Sequence, residues 1–120
     1  DLAIVLLGRG DGALWALNAA VEGGGTPAVA LVLQDLPQTT QGETDTARLL
    51  EQWQGPTYDI LMVPTAHAET RKLQAKRLGN ERYRQLLWPQ SGNAELKQQM
   101  LIKRVAGWLQ RTLSENPDNA

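Results

Sequence analysis

Apolar residues along the chain fall into four short runs, each followed by a longer segment with helical periodicity. The runs cover residues 3–7, 28–33, 58–63 and 84–88. The first three are almost continuously apolar, which is typical of strands that are covered on both faces in a parallel sheet. The pattern β-α-β-α-β-α-β-α predicts an α/β fold, a three-layer sandwich around a mostly parallel four-stranded sheet in sequential order.

The segments between these runs predict four helices. They cover residues 12–22, residues 46–53 after a cap at Thr44 or Asp45, residues 68–78, and a last helix that follows a cap at Ser91 or Asn93 and ends at Leu113. Right-handed crossovers would place the first three helices on one face of the sheet and the last helix on the other. The first helix is apolar all round over residues 13–17, as expected of a buried helix.

The domain is predicted to end with the last helix. Residues 1–113 form one domain, and the polar tail of residues 114–120 has too little apolar surface to offset the entropy of ordering it. The tryptophans at positions 15, 53 and 108 occupy apolar positions of helices, which favours a role in the core over stacking on sugars.

Charge is distributed unevenly, although 12 basic and 13 acidic residues give a net charge of −1. Residues 1–66 carry a net charge of −6 (two basic, eight acidic), and residues 67–120 carry +5 (ten basic, five acidic). The densest basic group comprises Arg71, Lys72, Lys76, Arg77, Arg82 and Arg84. It could contact phosphates or an acidic partner, but a solvated helix face explains it as well. Only Tyr83 is interleaved as a stacking aromatic, so nucleic-acid binding is not indicated.

Composition excludes several kinds of chemistry. The chain has no cysteine, which removes disulfides, thiol catalysis and thiolate metal sites. His67 is the only histidine, and with scattered carboxylates it predicts neither a metal site nor a bound cofactor. No apolar run approaches the roughly 20 residues of a membrane-spanning helix. The composition leaves the cellular compartment open.

The turn after the first strand is the first candidate for a ligand site, because ligands of parallel sheets bind at the carboxyl ends of the strands. It is built from Gly8, Arg9, Gly10, Asp11 and Gly12. An α/β-hydrolase carries its nucleophile elbow, with small residues around the nucleophile, in this place. Gly10 would occupy the nucleophile position.

Two further segments extend this similarity. Residues 30–37 resemble the hydrolase strand that follows the elbow helix, and residues 108–111 resemble the closing helix. The chain is similar to the C-terminal half of an uncharacterised family of bacterial α/β-hydrolase-like proteins, which are usually exported. The resemblance implies a periplasmic location. It also implies four further strands, supplied by an N-terminal half, a second copy of the chain or a partner protein.

The positions that hold the catalytic triad in an α/β-hydrolase do not carry the expected residues in this chain. Gly10 offers no atom that could attack a substrate. The triad acid would follow the third strand, but residues 64–67 include no acid. The triad histidine would follow the fourth strand, but residues 89–92 include no histidine. The weak catalytic candidates that remain are Asp11, in a shifted frame, and His67 with the hydroxyl of Ser91 and with Asp59 or Glu69 as its orienting acid. The expected function is therefore binding or scaffolding, without triad hydrolysis.

A dinucleotide- or phosphate-binding module is the alternative that the same turn supports. Gly8, Gly10 and Ala13 satisfy the glycine pattern of such a turn, and Asp35 follows 22 residues after Ala13. An acid at about that distance binds the ribose in dinucleotide-binding folds, while amides of the helix N-terminus hold the pyrophosphate.

Overall fold

The computed structural model describes residues 4–23, 28–37, 46–88 and 92–115. Its elements in chain order are β1 (Ile4–Arg9), α1 (Asp11–Glu22), β2 (Ala28–Gln34), α2 (Thr46–Gln52), β3 (Thr57–Leu61), α3 (Ala66–Arg77), β4 (Tyr83–Leu87) and α4 (Ala94–Glu115). The strands form one sheet in the order β1-β2-β3-β4, and all three neighbouring pairs are parallel. The predicted α/β class and the sequential parallel sheet are confirmed.

The helices divide three to one between the faces of the sheet. On the first face, buried side chains of α1 and α2 pack on Leu31 and Leu33 of β2, and α3 contacts α2 and β4. On the second face, Leu101 and Trp108 of α4 pack on the side chains of Ile60 and its neighbours. Alternation along each strand explains this division, because successive side chains point to opposite faces. The predicted placement of the helices is confirmed.

The boundaries of the elements differ from the predicted ones by one or two residues. Strand β1 continues through Arg9, so that only Gly10 separates it from α1. Asn93 caps α4, since its side-chain oxygen accepts a hydrogen bond from the N–H of Leu96 at 3.0 Å. The other predicted cap of that helix, Ser91, and both candidate caps of α2 lie outside the described residues.

Helix α4 runs to Glu115, two residues beyond the predicted end of the domain. The rest of the predicted tail lies outside the described residues, so its disorder stays a prediction. In the part of the chain that the structure describes, no helix has the length and apolar character needed to cross a membrane.

The prediction that α1 is buried on all sides is wrong. Four of its residues, Ala13, Leu14, Ala16 and Leu17, lie in the core, but the side chain of Trp15 is 73% exposed. The helix belongs to an outer layer, and its far side therefore meets solvent. Trp108 is buried and Trp53 is packed against the core, so the expectation for the tryptophans holds at these two positions and fails at Trp15.

Close packing between β1 and α1 depends on Gly8. A Cβ atom at this position would lie 2.3 Å from the carbonyl oxygen of Gly12 and 2.6 Å from the Cα atom of Ala13. Both are backbone atoms, so the clash cannot be relieved by rotating a side chain. Gly12 itself has open space around its Cβ position. The strand can therefore approach the helix only with glycine at position 8.

We expect Gly8→Ala to lower the free energy of unfolding by about 2 kcal/mol or more, because overpacking of this kind forces the backbone to shift. Gly12→Ala is the matched control: it adds the same methyl group in open space, and it should be neutral or stabilise by up to about 1 kcal/mol through helix propensity. Urea unfolding followed by circular dichroism measures both. Equal stability of the two variants would contradict the packing argument.

Candidate functional site

A one-residue turn at Gly10 connects β1 to α1. Its φ of 59° and ψ of −127° lie in a region that favours glycine. The Gly10 N–H donates to the carbonyl of Gln34 at 2.8 Å, and the Gly10 carbonyl accepts from the N–H of Ala13 at 2.9 Å. The turn is thus fixed to the end of β2 on one side and to the helix on the other. Among the described residues, no side chain caps this end of α1.

Asp35 links the ends of β2 and β3. Its φ of 54° is positive, its N–H donates to the carbonyl of Ile60 at 2.9 Å, and its Oδ1 accepts from the N–H of Met62 at 3.1 Å. The fold therefore brings Asp35 beside the Gly10 turn, as the dinucleotide pattern requires. One of its carboxylate oxygens is therefore already occupied by a hydrogen bond from the backbone.

An open groove adjoins the turn on the α4 side of the sheet. It has a volume of about 510 Å³, which lies within the range of small-molecule sites. Its apolar lining includes Leu7, Ile102 and Leu109, and its polar groups include Arg9 and Gln34. Because β1 is the outermost of the described strands, Leu7 remains 67% exposed. The groove and the turn together form the candidate site at the carboxyl edge of the sheet.

Among the residues that the structure describes, no hydrogen bond or ion pair joins the weak catalytic candidates to one another. His67 lies half-buried in the first turn of α3, and within the described ranges it makes no hydrogen bond to a carboxylate or hydroxyl. Asp59 lies inside β3 and is engaged by Arg71, so it does not orient His67. Glu69 is exposed, and Ser91 lies outside the described residues. Asp11 is exposed in the first turn of α1, where a carboxylate interacts favourably with the helix dipole.

A buried polar network lies on the opposite face of the sheet. The Nε of Arg71 donates to Oδ2 of Asp59 at 2.8 Å, and its Nη2 donates to Oδ1 at 3.2 Å. The hydroxyl of Tyr83 also donates to Oδ2. Gln85 donates through Nε2 to the Tyr83 oxygen at 3.0 Å and to the carbonyl of Ala68 at 2.8 Å. Asp59 is 0% exposed and Arg71 is 3% exposed.

This network overturns the grouping of Arg71 with a solvated basic face. A carboxylate inside a buried strand needs a cation, and Arg71 faces inward from α3 to supply it. The other five members of the predicted basic group are exposed. An acid within the apolar run of β3 was the signal in the sequence that could have identified this pairing.

The charges of the network support one another. Burial alone lowers the pKa of Arg71, but the hydrogen bond and the negative charge of Asp59 outweigh it and raise the pKa above its ordinary value. Burial raises the pKa of Tyr83, and the neighbouring Asp59 raises it further. The cavity beside these side chains measures about 10 Å³, too little for a ligand. The network is therefore structural.

The chain matches a family model in comparison with known proteins. The model of a family described as "Protein of unknown function (DUF3530)" matches residues 1–111. No curated protein and no solved structure matches the chain.

We expect the contribution of Tyr83 to stability to be lost at alkaline pH. The unfolded chain releases the tyrosine proton near pH 10, whereas the folded protein retains it because the pKa is raised. The folded state then binds more protons than the unfolded state, so the free energy of unfolding falls as the pH rises above about 10, by up to about 1.4 kcal/mol per pH unit.

Urea unfolding of the natural chain and of Tyr83→Phe across this range measures the effect. Below about pH 9 the difference between the two should be constant, and above about pH 10 the natural chain should lose stability faster. Parallel stability curves throughout would show that the Tyr83 proton is not held by the fold.

Proposed function

The chain belongs to this family of proteins of unknown function, and from that premise we propose that it is a binding or scaffolding module that resembles the C-terminal half of an α/β-hydrolase domain and is inactive as a triad hydrolase. The ligand-binding part would be the turn from Gly8 to Gly12 with the adjoining groove. Export to the periplasm belongs to the same proposal, because it follows from the resemblance.

The backbone of Gly10 is the observation that carries this proposal. A sharp turn with positive φ, directly between a strand and a helix, is the arrangement in which an elbow presents its nucleophile. Gly8 supports it, since a small residue there permits the close approach of strand and helix. The position that would hold the nucleophile has no side chain. The turn therefore supplies elbow geometry without attacking chemistry.

The edge of β1 supports a role in assembly. Its outer backbone groups are a template for another strand, and exposed Leu7 and Ile102 border the groove beside it. We propose that this edge is covered, either by the N-terminal half of a longer protein or by a second copy of the chain. A dimer of the isolated chain would be isologous and would use the same surface on both copies.

Dinucleotide binding is the second candidate, favoured by the position of Asp35 beside the Gly10 turn. It is the weaker one, because the Asp35 carboxylate already accepts a hydrogen bond from Met62. Calorimetric titration with NAD and FAD distinguishes the two. Tight binding that Asp35→Ala weakens would favour the second candidate over the first.

We expect the isolated chain to hydrolyse short acyl esters only at the background rate, because no nucleophile stands at Gly10. Turnover of 4-nitrophenyl esters measures this, with His67→Ala and Ser91→Ala as the informative variants. Both should leave the background rate unchanged. Rapid hydrolysis that either substitution abolishes would overturn the proposed inactivity.

We expect the isolated chain to self-associate at micromolar concentration, and Leu7→Lys to weaken the association, because a lysine on an edge strand opposes pairing with another strand. Leu73→Lys is the matched control: Leu73 is 64% exposed, but it lies on α3, on the other face of the sheet. Sedimentation and light scattering measure the mass. A monomer at every concentration, with a sharp cooperative melt, would contradict the assembly proposal.

A further inference from the structure

A second groove lies at the amino ends of β3 and β4, away from the Gly10 turn. It has a volume of about 550 Å³ and is bordered by the carboxyl-terminal half of α4. Among the described residues, the groove is lined by four arginines, Arg82, Arg84, Arg104 and Arg111, and by a single acid, Glu81. Arg84 comes from β4, whereas Arg104 and Arg111 come from α4.

The fold fixes where these three arginines stand. Arg84 is the direct partner of Tyr58 in the register between β3 and β4. The ring of Tyr58 stacks on Trp108 of α4, with centroids 5.0 Å apart and planes inclined by 10°. Arg104 and Arg111 precede and follow Trp108 by four and three residues, so all three share one side of the helix. The stacking of Tyr58 on Trp108 therefore places Arg84 of β4 on the same side of the sheet as Arg104 and Arg111 of α4.

The arginines are not neutralised within the part of the chain that the structure describes. Arg84, Arg104 and Arg111 are exposed there and make no ion pair and no hydrogen bond. Arg82 donates through Nη2 to the carbonyl of Gln54 at 3.3 Å, which leaves its charge unpaired. Like charges that share a groove repel one another, and an anion would relieve this repulsion.

Helix electrostatics do not account for the pattern. Cations are stabilised in the last turn of a helix, and the effect fades beyond that turn. Helix α4 ends at Glu115, so Arg104 and Arg111 both precede its last turn. A solvated face does not account for it either, because the arginines of two separate elements converge on one concave surface.

We propose that this groove binds the phosphate group of a small molecule or of a lipid headgroup. Guanidinium groups match phosphate oxygens with paired hydrogen bonds, which lysine cannot reproduce. The volume of the groove is that of a small-molecule site. The site is separate from the Gly10 turn and does not depend on the function proposed for it.

The test is calorimetric titration of the full chain with inorganic pyrophosphate. Arg84→Gln, Arg104→Gln and Arg111→Gln should each weaken binding by about tenfold, since each removes a charged hydrogen-bonding group. Arg77→Gln is the matched control, because it removes the same charge from an exposed position on α3, on the opposite face of the sheet. It should leave the affinity within about twofold. Circular dichroism verifies that each variant is folded.

Vesicles distinguish the two sources of phosphate. Binding to phosphatidylcholine vesicles that contain phosphatidic acid, absent without that lipid and competed by pyrophosphate, would assign the groove to a headgroup. Pyrophosphate binding without vesicle binding would assign it to a soluble phosphate compound. The proposal is overturned if neither probe binds, or if Arg77→Gln weakens binding as much as the groove variants do.

Discussion

The ion pair between Asp59 and Arg71 is the interaction on which the rest of the fold depends. All five residues of β3 are buried, and Asp59 stands in the middle of that strand. An unpaired carboxylate at this position would lower the free energy of unfolding by several kcal/mol, because nothing would replace the hydration that it loses. Two hydrogen bonds from Arg71 and one from Tyr83 replace the lost water. The sheet can therefore hold a charge at its centre only while α3 and β4 remain in register with β3.

Helix α3 shows the consequence, because it is attached mainly by polar contacts. Its buried residues are Ala68, Arg71 and Gln74, whereas its Leu73 points to solvent. The Nε2 of Gln74 donates to the carbonyl of Ala47 at 2.7 Å, which ties α3 to α2. Apolar contacts tolerate small shifts of position, but paired hydrogen bonds demand one geometry. These hydrogen bonds thus fix the alignment of α3 with α2 and with the sheet.

The sequence predicted the fold well, because buried parallel strands and their covering helices leave strong periodic signals. The first three strands are nearly continuous apolar runs, and glycines mark the turn at Gly10. The failures have physical causes. Trp15 is apolar but lies on the outer side of a surface layer, and hydrophobicity alone does not show which side faces out. The basic residues next to Arg71 in the sequence predict an exposed position for it, but its burial depends on Asp59, which is 12 residues away in the sequence.

The candidate sites were harder to predict than the elements. The Gly10 turn is local in sequence, so the spacing of its glycines revealed it. The groove beside the turn joins Leu7 to Ile102, and the arginine groove joins Arg84 to Arg104 and Arg111. Such pairs are brought together only by the strand register and by the position of α4. Neither can be derived from the chemistry of single segments.

Both grooves arise because a single helix covers one face of the sheet. An α-helix with its side chains is about 10 Å wide, whereas the outer strands of a four-stranded sheet lie about 14 Å apart. Helix α4 buries Leu101 and Trp108 against the middle of the sheet and leaves space on either side of its path. One space opens beside the carboxyl end of β1 and the other beside the amino end of β4. Within the described part of the chain, the three-to-one division of the helices therefore lets a ligand reach the sheet at an apolar groove and at a separate cationic groove.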